Sequence, residues 1–277
     1  MSKFLKLFLT LQLTILSGIL FAQDTTHVSA KATLFSVHID EVVPEQVQRF
    51  EDLNATQMRA RSKVYKENHV PIPPGYEYSA TGSKYFSLRP RSSYVELDKP
   101  SKLSDKVKKL LKSQVDPYSD TIHPLLRFHH NELWMLDTAG SYLPIPYDPE
   151  KMNVVHIRME WVVPKMGDVY DSVHTLFLKA LQKINAPVAC LSMYSMYGNG
   201  TNIYLYHAHN NEEIQQVKDP VGVLQKAYGR EEAFKIYQLW QTCLFSYDDL
   251  DATPRPDLTD LQPGVMWLGV KGRVKKY

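Results

Sequence analysis

Two histidine-containing strands carry the residue types that could perform acid–base chemistry. The first phrase, Val37-His38-Ile39, and the second, Val155-His156-Ile157, are each followed within a few residues by Val-Val-Pro. A histidine titrates near neutral pH and can accept a proton from a substrate. We therefore interpret His38 and His156 as candidate catalytic residues at equivalent positions of two sequence copies.

Charged residues accompany both histidines. Successive side chains of a strand point to opposite faces. The polar faces would carry Ser36, His38 and Asp40 in the first copy, and His156, Arg158 and Glu160 in the second. We expect the apolar faces to contact helices and the polar faces to meet inside a barrel or to line a cleft. Because a buried charge needs a partner, Asp40 is predicted to pair with Arg158.

Further candidate ligand-binding residues lie on a second pair of strands. Tyr194, Tyr204 and Tyr206 surround Gly198-Asn199-Gly200, a strong hairpin signal. Their rings could form the core, pair across strands or hold a flat organic ligand inside a barrel. We group them with the charged residues as candidate ligand-binding residues: Asp40, Arg158, Glu160, Tyr194, Tyr204 and Tyr206.

Metal and cofactor signals are weak. His207 and His209 share one strand face and could bind zinc or copper with a third ligand, but none has a recognisable spacing. We favour a solvated strand end. His129 and Glu132 are expected one turn apart on a polar helix face. The sequence has no glycine-rich phosphate loop and no Gly-x-Ser-x-Gly motif, so no cofactor is expected.

The only two cysteines, Cys190 and Cys243, lie among apolar residues. Buried thiols are the interpretation that we favour, and a single disulfide in an oxidising compartment is the alternative. Neither cysteine has a recognisable nucleophile signature.

The elements that must position these residues follow the order β-α-β-β-α twice, which indicates a tandem duplication. The first unit, 31–145, is predicted to have strands at 33–43, 76–80 and 84–89 and helices at 45–67, 103–115 and 120–137. The second unit, 152–259, is predicted to have strands at 153–163, 188–197 and 201–209 and helices at 165–185 and 231–250, with another helix opening at 219–220. A linker is expected at 141–150 and a basic tail at 260–277.

This element order and the repeated Val-His-Ile…Val-Val-Pro phrase resemble the dimeric α+β barrel superfamily, which includes antibiotic-biosynthesis-monooxygenase-like, stress-responsive barrel and NIPSNAP-like domains. The resemblance implies an α+β fold with antiparallel ferredoxin-like sheets, helices outside and two units packed as a pseudo-dimeric barrel. The last strand of each unit is not evident in the sequence.

The start of the chain predicts export. Lys3 and Lys6 precede an apolar run at 7–21, and Ala22 provides a small residue before the expected cleavage site. Cleavage would bring the formal charge from +2 to zero, which argues against nucleic acid as a main partner. We expect a secreted or periplasmic protein without stable membrane insertion after cleavage; the oligomeric state stays open.

Three functions fit these patterns. The first is an exported protein that binds a small organic molecule between its two units. The second is a cofactor-independent monooxygenase-like or isomerase-like enzyme, as the resemblance implies, using His38 or His156. The third is a structural or protein-interaction module whose polar strand faces only join its halves. The sequence does not choose among them.

Overall fold

Eight β-strands form the centre of the molecule. They are β1 (Leu34–Val42), β2 (Tyr76–Ala80), β3 (Lys84–Arg91), β4 (Leu126–Tyr142), β5 (Val154–Val162), β6 (Ala189–Ser195), β7 (Thr201–Ala208) and β8 (Leu244–Pro254). In this computed structural model they close into one antiparallel barrel with the order β1-β3-β2-β8-β5-β7-β6-β4. The structure describes residues 34–71, 75–91, 93–94, 103–144, 152–197 and 200–258, which belong to one compact unit at 31–277.

The two halves of the barrel repeat the same strand order. Neighbouring strands run β4-β1-β3-β2 in the first half and β8-β5-β7-β6 in the second, and the pairs β2–β8 and β4–β6 join the halves. The predicted α+β fold of two antiparallel sheets is confirmed. The unit boundaries at 31–145 and 152–259 stay predictions. The signal peptide, the C-terminal tail and the linker beyond 144 lie outside the described residues.

Helices cover the outside of the barrel. They are α1 (Val47–Glu67), α2 (Asp105–Gln114), α3 (Asp116–Ile122), α4 (Gly167–Lys183), α5 (Asn211–Lys218), α6 (Pro220–Tyr228) and α7 (Arg230–Cys243). Local chemistry fixes several ends: Asn210 and Asp219 accept backbone hydrogen bonds at the starts of α5 and α6. Gly229 separates α6 from α7 at a φ of 85°, which favours glycine. Among the described residues, no helix combines the length and apolarity that crossing a bilayer requires.

Two predicted helices are partly wrong, because β4 and β8 are strands. The helix expected at 120–137 ends at Ile122, and residues 126–142 pair with β1 and β6. The helix expected at 231–250 ends at Cys243, and residues 244–254 pair with β5 and β2. Both segments are rich in aromatic, His, Ser or Asp residues, which are weak helix formers, and strand pairing closes the barrel. These are the final strands that the sequence pattern left unassigned.

The faces of β1 and β5 are oriented opposite to the prediction. Val42, on the His38 face, packs with Phe50 of α1, and Glu160 bonds Tyr170 of α4 and Trp240 of α7. The polar faces therefore lie under the helices. The apolar faces point into the barrel, where Tyr78 of β2 reaches His207 of β7 at 3.2 Å although these strands are not neighbours.

The centre of the barrel is packed with side chains. Eight strands enclose a space that side chains can fill. Ten inward-pointing residues have no exposed surface: Phe35, Val37, Leu88, Trp134, Val155, Ile157, Leu191, Met193, Ile203 and Leu205. These ten side chains fill the middle of the barrel.

The strand register also changes which residues are equivalent. Both β1 and β5 have a register shift before the first valine of Val-Val-Pro, between Glu41 and Val42 and between Trp161 and Val162. Alignment on that shift matches His38 with Arg158 and Asp40 with Glu160. The predicted equivalence of His38 with His156 is therefore wrong by two residues. Two residues are one strand period, so each side chain keeps its face.

Candidate active site under the first-half helices

The two polar sheet faces differ in composition. The second-half face is defined by His156, Arg158, Glu160, Tyr204, Tyr206, Asp249 and Asp251, which lie on the outer sides of β5, β7 and β8. The first-half face is defined by Ser36, His38, Asp40, Glu77, Ser87, Arg89, Arg91, His129 and Asn131, which lie on the outer sides of β1, β2, β3 and β4.

Glu160 is the centre of the second-half face. It has no exposed surface and accepts hydrogen bonds from Arg158 Nε at 2.5 Å, Tyr170 Oη at 2.5 Å and Trp240 Nε1 at 3.1 Å. Arg158 also bonds Asp249 at 2.9 Å and lies over the Tyr247 ring. Three donors, one of them a guanidinium, satisfy this buried carboxylate, which is the arrangement of a structural network.

His156 belongs to the same network. Its Nδ1 lies 3.0 Å from Asp251 and its Nε2 lies 3.0 Å from Asp249, and only 4% of its side chain is exposed. Both ring nitrogens therefore face carboxylate oxygens within hydrogen-bond distance. Burial opposes ionisation of Asp249, but its hydrogen bond with His156 and the charge of Arg158 lower its pKa below the usual value. Both nitrogens are thus bound to protein acids.

The predicted pair of Asp40 with Arg158 does not form. Arg158 bonds Glu160 and Asp249, and Asp40 bonds His129 in the other half of the barrel. The two residues lie on strands on opposite sides of the barrel, each facing outward. Their predicted partnership required both polar faces to point inward.

The candidate tyrosines lie outside the barrel interior. Tyr204 and Tyr206 are buried beneath the helices of the second half, where Tyr204 bonds Tyr170. Burial raises the pKa of both phenols well above the usual value, so both stay neutral. Tyr194 is 38% exposed and lies near Met135. The structure does not bring these three rings together around one space inside the barrel.

The first-half face is open, which means that its polar side chains are partly exposed, whereas the second-half face is closed by large buried side chains. Strand pairing places Ser36 and Ser87 where the second half has His156 and Tyr204. These small side chains leave His38 and Asp40 partly exposed beneath α1. The helix is held over the sheet by Phe50, which packs on Val42 and Tyr85.

Asp40 and His129 form the central contact of this face. The two residues are direct partners across β1 and β4, and Asp40 Oδ1 lies 2.5 Å from His129 Nδ1. The contact between Nδ1 and the carboxylate orients the ring and leaves Nε2 on the side away from Asp40. The His129 side chain is 41% exposed. An oriented, accessible imidazole with an aspartate behind it is the arrangement of a general base.

His38 lies beside this pair, with its ring centre 5.9 Å from that of His129. Burial lowers the pKa of His38, and the charge of Arg89 lowers it further, while Asp40 opposes the change. His38 is therefore neutral at pH 7. It can donate or accept one hydrogen bond without adding charge to the site.

Glu77 is an acid kept neutral under this face. Its side chain is buried, and burial raises its pKa to about 8 against the opposing hydrogen bond with Ser87. At pH 7 most of the Glu77 population is a carboxylic acid. A buried neutral acid can donate a hydrogen bond to an oxygen that becomes negative.

One contact from the end of β8 holds α1 in place. Arg255 bonds Glu51 of α1 and Asp257, and its backbone N–H donates to the Glu77 carbonyl. Tyr85 also donates to Glu51 at 2.6 Å. The residues that follow β8 thus connect the helix above the first-half face to the sheet below it.

The remaining residues that the sequence analysis singled out lie away from the first-half face. His207 is buried inside the barrel, not at a solvated strand end, and burial lowers its pKa to about 3. His209 bonds Glu213 at 2.9 Å. No group of three or more His, Cys, Asp or Glu side chains in the described ranges could hold a metal ion. Cys190 and Cys243 are free and buried, as we favoured.

The sequence interpretation missed His129 as a member of the site. His129 and Glu132 were expected on one helix face, but in β4 His129 points outward with Asn131, and Glu132 points inward with His130. His129 could have been found from the missing final strand of the first unit, because the fold requires a strand in that part of the chain. A strand there must pair with β1, and pairing brings its polar side chains beside Asp40.

Comparisons by sequence give no relative: no protein-family model matches the chain, and no curated protein matches it. Comparisons by structure give many proteins with a similar fold. A putative monooxygenase from Lactobacillus acidophilus has 7% identity and a TM-score of 0.50, with 80% of this chain and 94% of that chain covered. An anthrone oxidase-like protein has 11% identity and a TM-score of 0.50, with 82% and 92% covered.

A chlorite dismutase variant from Candidatus Nitrospira defluvii has 7% identity and a TM-score of 0.50, with 84% of this chain and 96% of that chain covered. Identities this low establish the fold alone. The barrel of eight antiparallel strands with outer helices is common to the set. The chain therefore has the dimeric α+β barrel fold, as its element order predicted.

Proposed function

We propose that this protein is an enzyme that removes a proton from a small organic molecule bound against the first-half face. His129 is the general base and Asp40 orients it. The observation that carries the proposal is the 2.5 Å contact between Asp40 and the half-exposed His129. The proton leaves an acidic C–H or O–H group, goes to His129 Nε2 and is then lost to water.

The neighbours of His129 suit the anion that this step creates. His38 is neutral at pH 7, so it adds no charge beside His129 that would compete for the substrate's proton. Arg89 lies on the same sheet face, and its charge, which lowers the pKa of His38, also favours an anion there. The substrate class is therefore a phenol or a carbon acid. The names of the monooxygenase and anthrone oxidase-like neighbours are compatible with an enzyme.

The second-half histidine is not part of this proposal. Both nitrogens of His156 are bound to carboxylates, and reaching a substrate would break an ion pair. The network around Glu160 supports the structural function that the sequence allowed for these residues. Of the two histidines singled out from sequence, only His38 lies beside an open face.

Proton abstraction is measured by exchange of an acidic C–H with deuterium. Cyclohexane-1,3-dione and anthrone in D₂O are followed by proton NMR with the purified protein. We expect faster exchange with the wild type, a loss of about 100-fold in His129→Gln and a smaller loss in Asp40→Asn. His209→Gln, a matched change outside the face, should leave the rate unchanged.

The outcomes separate the candidate functions. If these compounds bind at the first-half face without faster exchange, the result would favour a small-molecule binding protein over an enzyme. Neither binding nor exchange, together with wild-type stability of His129→Gln, would favour a structural or interaction module. Equal exchange rates in wild type and His129→Gln would refute His129 as the base.

We also propose that the protein is exported and loses residues 1–22. The support is the charged start and the apolar run at 7–21. Edman sequencing of protein from the medium or periplasm should begin at Gln23. Material that begins at Met1 in those fractions would contradict cleavage.

A further inference from the structure

Two other imidazoles lie close to His129. Its ring centre is 5.9 Å from that of His38 and 6.5 Å from that of His123. Strand pairing and the contact with Asp40 fix the position of His129 relative to both. The function proposed above uses His129 as the base and gives His123 no role.

The backbone holds His123 in place although its side chain is exposed. His123 begins a short 3₁₀ turn, His123–Leu125, that joins α3 to β4. Ile122 and Leu125 are buried in the cluster beneath α1. The Val43 N–H donates to the Leu125 carbonyl at 2.9 Å. The fold therefore presents His123 to solvent just before the strand that contains His129.

The second half has different side chains at these positions. The carbonyls of Leu125 and Cys243 accept equivalent backbone hydrogen bonds after β1 and β5, which aligns the two helix–strand connections. In the second half the positions of the three histidines are occupied by residues that do not titrate near neutral pH: Gln241 for His123, Tyr247 for His129 and Arg158 for His38. The group of imidazoles is thus a feature of the open half and not of the shared fold.

A base that has taken a proton must release it before the next turnover. The His129 side chain is 41% exposed, and a substrate that reaches its Nε2 covers part of that surface. A proton that stays on His129 returns to the anion that it left, and the reaction is cancelled. A second imidazole within reach of one water can remove the proton, because histidine gains and loses protons near neutral pH.

The spacing of His123 and His129 suits one bridging water. Two hydrogen bonds of about 2.8 Å through a water span roughly 5 Å between nitrogens, which fits rings whose centres are 6.5 Å apart. His123 is exposed, so a proton that reaches it can pass to bulk water. His38 is the poorer acceptor, because burial and the charge of Arg89 lower its pKa.

We propose that His123 is the proton relay of this site, which takes the proton from His129 through one water and passes it to solvent. This inference rests on the proposed function and adds a residue to it. In the first step a C–H or O–H bond of the substrate breaks, its electron pair stays on the substrate, and an N–H bond forms at His129 Nε2. In the second step that N–H bond breaks, and the water takes this proton and gives one of its own to His123. His123 then releases a proton to solvent or buffer, and no oxidant or reductant is consumed.

Exchange of the acidic C–H of anthrone in D₂O tests the relay, because a proton that returns from His129 to the substrate produces no exchange. Proton NMR follows the rate at rising concentrations of imidazole buffer, with the rate without protein subtracted. We expect His123→Gln to lower the rate about 5- to 10-fold at low imidazole concentration. High imidazole concentration should restore the rate to within about twofold of the wild type, because free imidazole then accepts the proton from His129.

Two variants serve as controls. His209→Gln removes a partly exposed histidine outside this face and should keep the wild-type rate at every imidazole concentration. His129→Gln should stay slow throughout, because it lacks the base that Asp40 orients. Thermal melts and circular dichroism confirm that each variant is folded.

The relay and the base can fail separately. If His123→Gln exchanges at the wild-type rate at low imidazole concentration, the relay is wrong. A loss that imidazole does not restore would also overturn it, because His123 would then act through the structure. In both results a slow His129→Gln would leave the proposed base intact. If His129→Gln exchanges as fast as the wild type, the base itself is wrong and the relay fails with it.

Discussion

The two halves of the barrel have the same strand order but use their outer sheet faces differently. In the second half a buried carboxylate, Glu160, is surrounded by donors and large rings. In the first half the equivalent residue, Asp40, has only 20% of its side chain exposed yet lies beside a half-exposed histidine, His129. One face stabilises the fold, and the other retains polar groups at an accessible place.

This difference follows from side-chain size and charge. The second half fills its helix–sheet interface with Tyr170, Tyr204 and Trp240, whose polar atoms reach the buried acid. The first half has Ser36 and Ser87 at the positions of His156 and Tyr204. Natural proteins keep incompletely filled polar faces mainly where function requires them. A duplicated fold thus provides an internal control for deciding which half is functional.

The largest expected effect comes from removing the acid of each half. Glu160→Ala should lower the free energy of unfolding by about 4 kcal/mol, because Arg158 loses a partner in a dry place. Asp40→Ala at the equivalent position should cost about 1 kcal/mol, because its partner His129 is accessible to water. Urea melts measure both. Equal losses would contradict the contrast between a closed and an open half.

Glu77→Gln should stabilise the protein at neutral pH. The pKa of Glu77 is raised to about 8 in the folded state, so its ionisation opposes folding increasingly as the pH rises above the usual value of 4.5. The substitution should therefore add roughly 3 kcal/mol at pH 7 and almost nothing at pH 4. Urea melts at both pH values test this. A pH-independent effect would mean that Glu77 is ionised in the folded protein.

A large side chain in the first-half face should make it resemble the filled second-half face. Ser87→Tyr introduces the residue type that Tyr204 has in the second half. We expect a loss of at least about tenfold in exchange activity, because the ring occupies the substrate space. Ser87→Ala removes the same hydroxyl without filling the space and serves as the control. If both variants lose activity equally, the hydroxyl and not the space is what matters.

The smallest expected effect concerns acid stability. The pKa of Asp249 is lowered in the folded state, because its hydrogen bond with His156 and the charge of Arg158 outweigh burial. Its stabilising contribution is therefore present above the usual value of 3.8 and lost as the pH falls through the lower folded value. Asp249→Asn should cost about 1 kcal/mol at pH 6 and less at pH 3. Asp248→Asn, on the inward side of the same strand, is the control.

Much of the fold could be predicted from sequence. The repeated phrase, the helix stripes and the Gly-containing hairpins specify β1, α1, β2, β3 and their second-half counterparts, because each depends on local spacing or turn chemistry. The strands β4 and β8 could not be read in this way. Their residues pair with distant strands, and that pairing, not local propensity, decides their structure.

Part of the candidate site could also be predicted. Strand alternation alone predicts that His38 and Asp40 share one strand face. It predicts the same for His156, Arg158 and Glu160. Alternation does not reveal which face of the sheet is inside. His129, Arg89 and Glu77 come from strands that share no local pattern with β1, so only strand pairing brings them to the same face.

Repetition and local spacing are enough to predict the duplication, the alternation of polar and apolar faces and several of the helices that cover the barrel. The outward direction of the polar faces became evident only from the packing of the folded chain. The physical reason is the size of an eight-stranded barrel: its interior has room for packed apolar side chains, whereas polar side chains need partners. The helices provide such partners in Tyr170 and Trp240 for Glu160, and strand β4 provides His129 for Asp40.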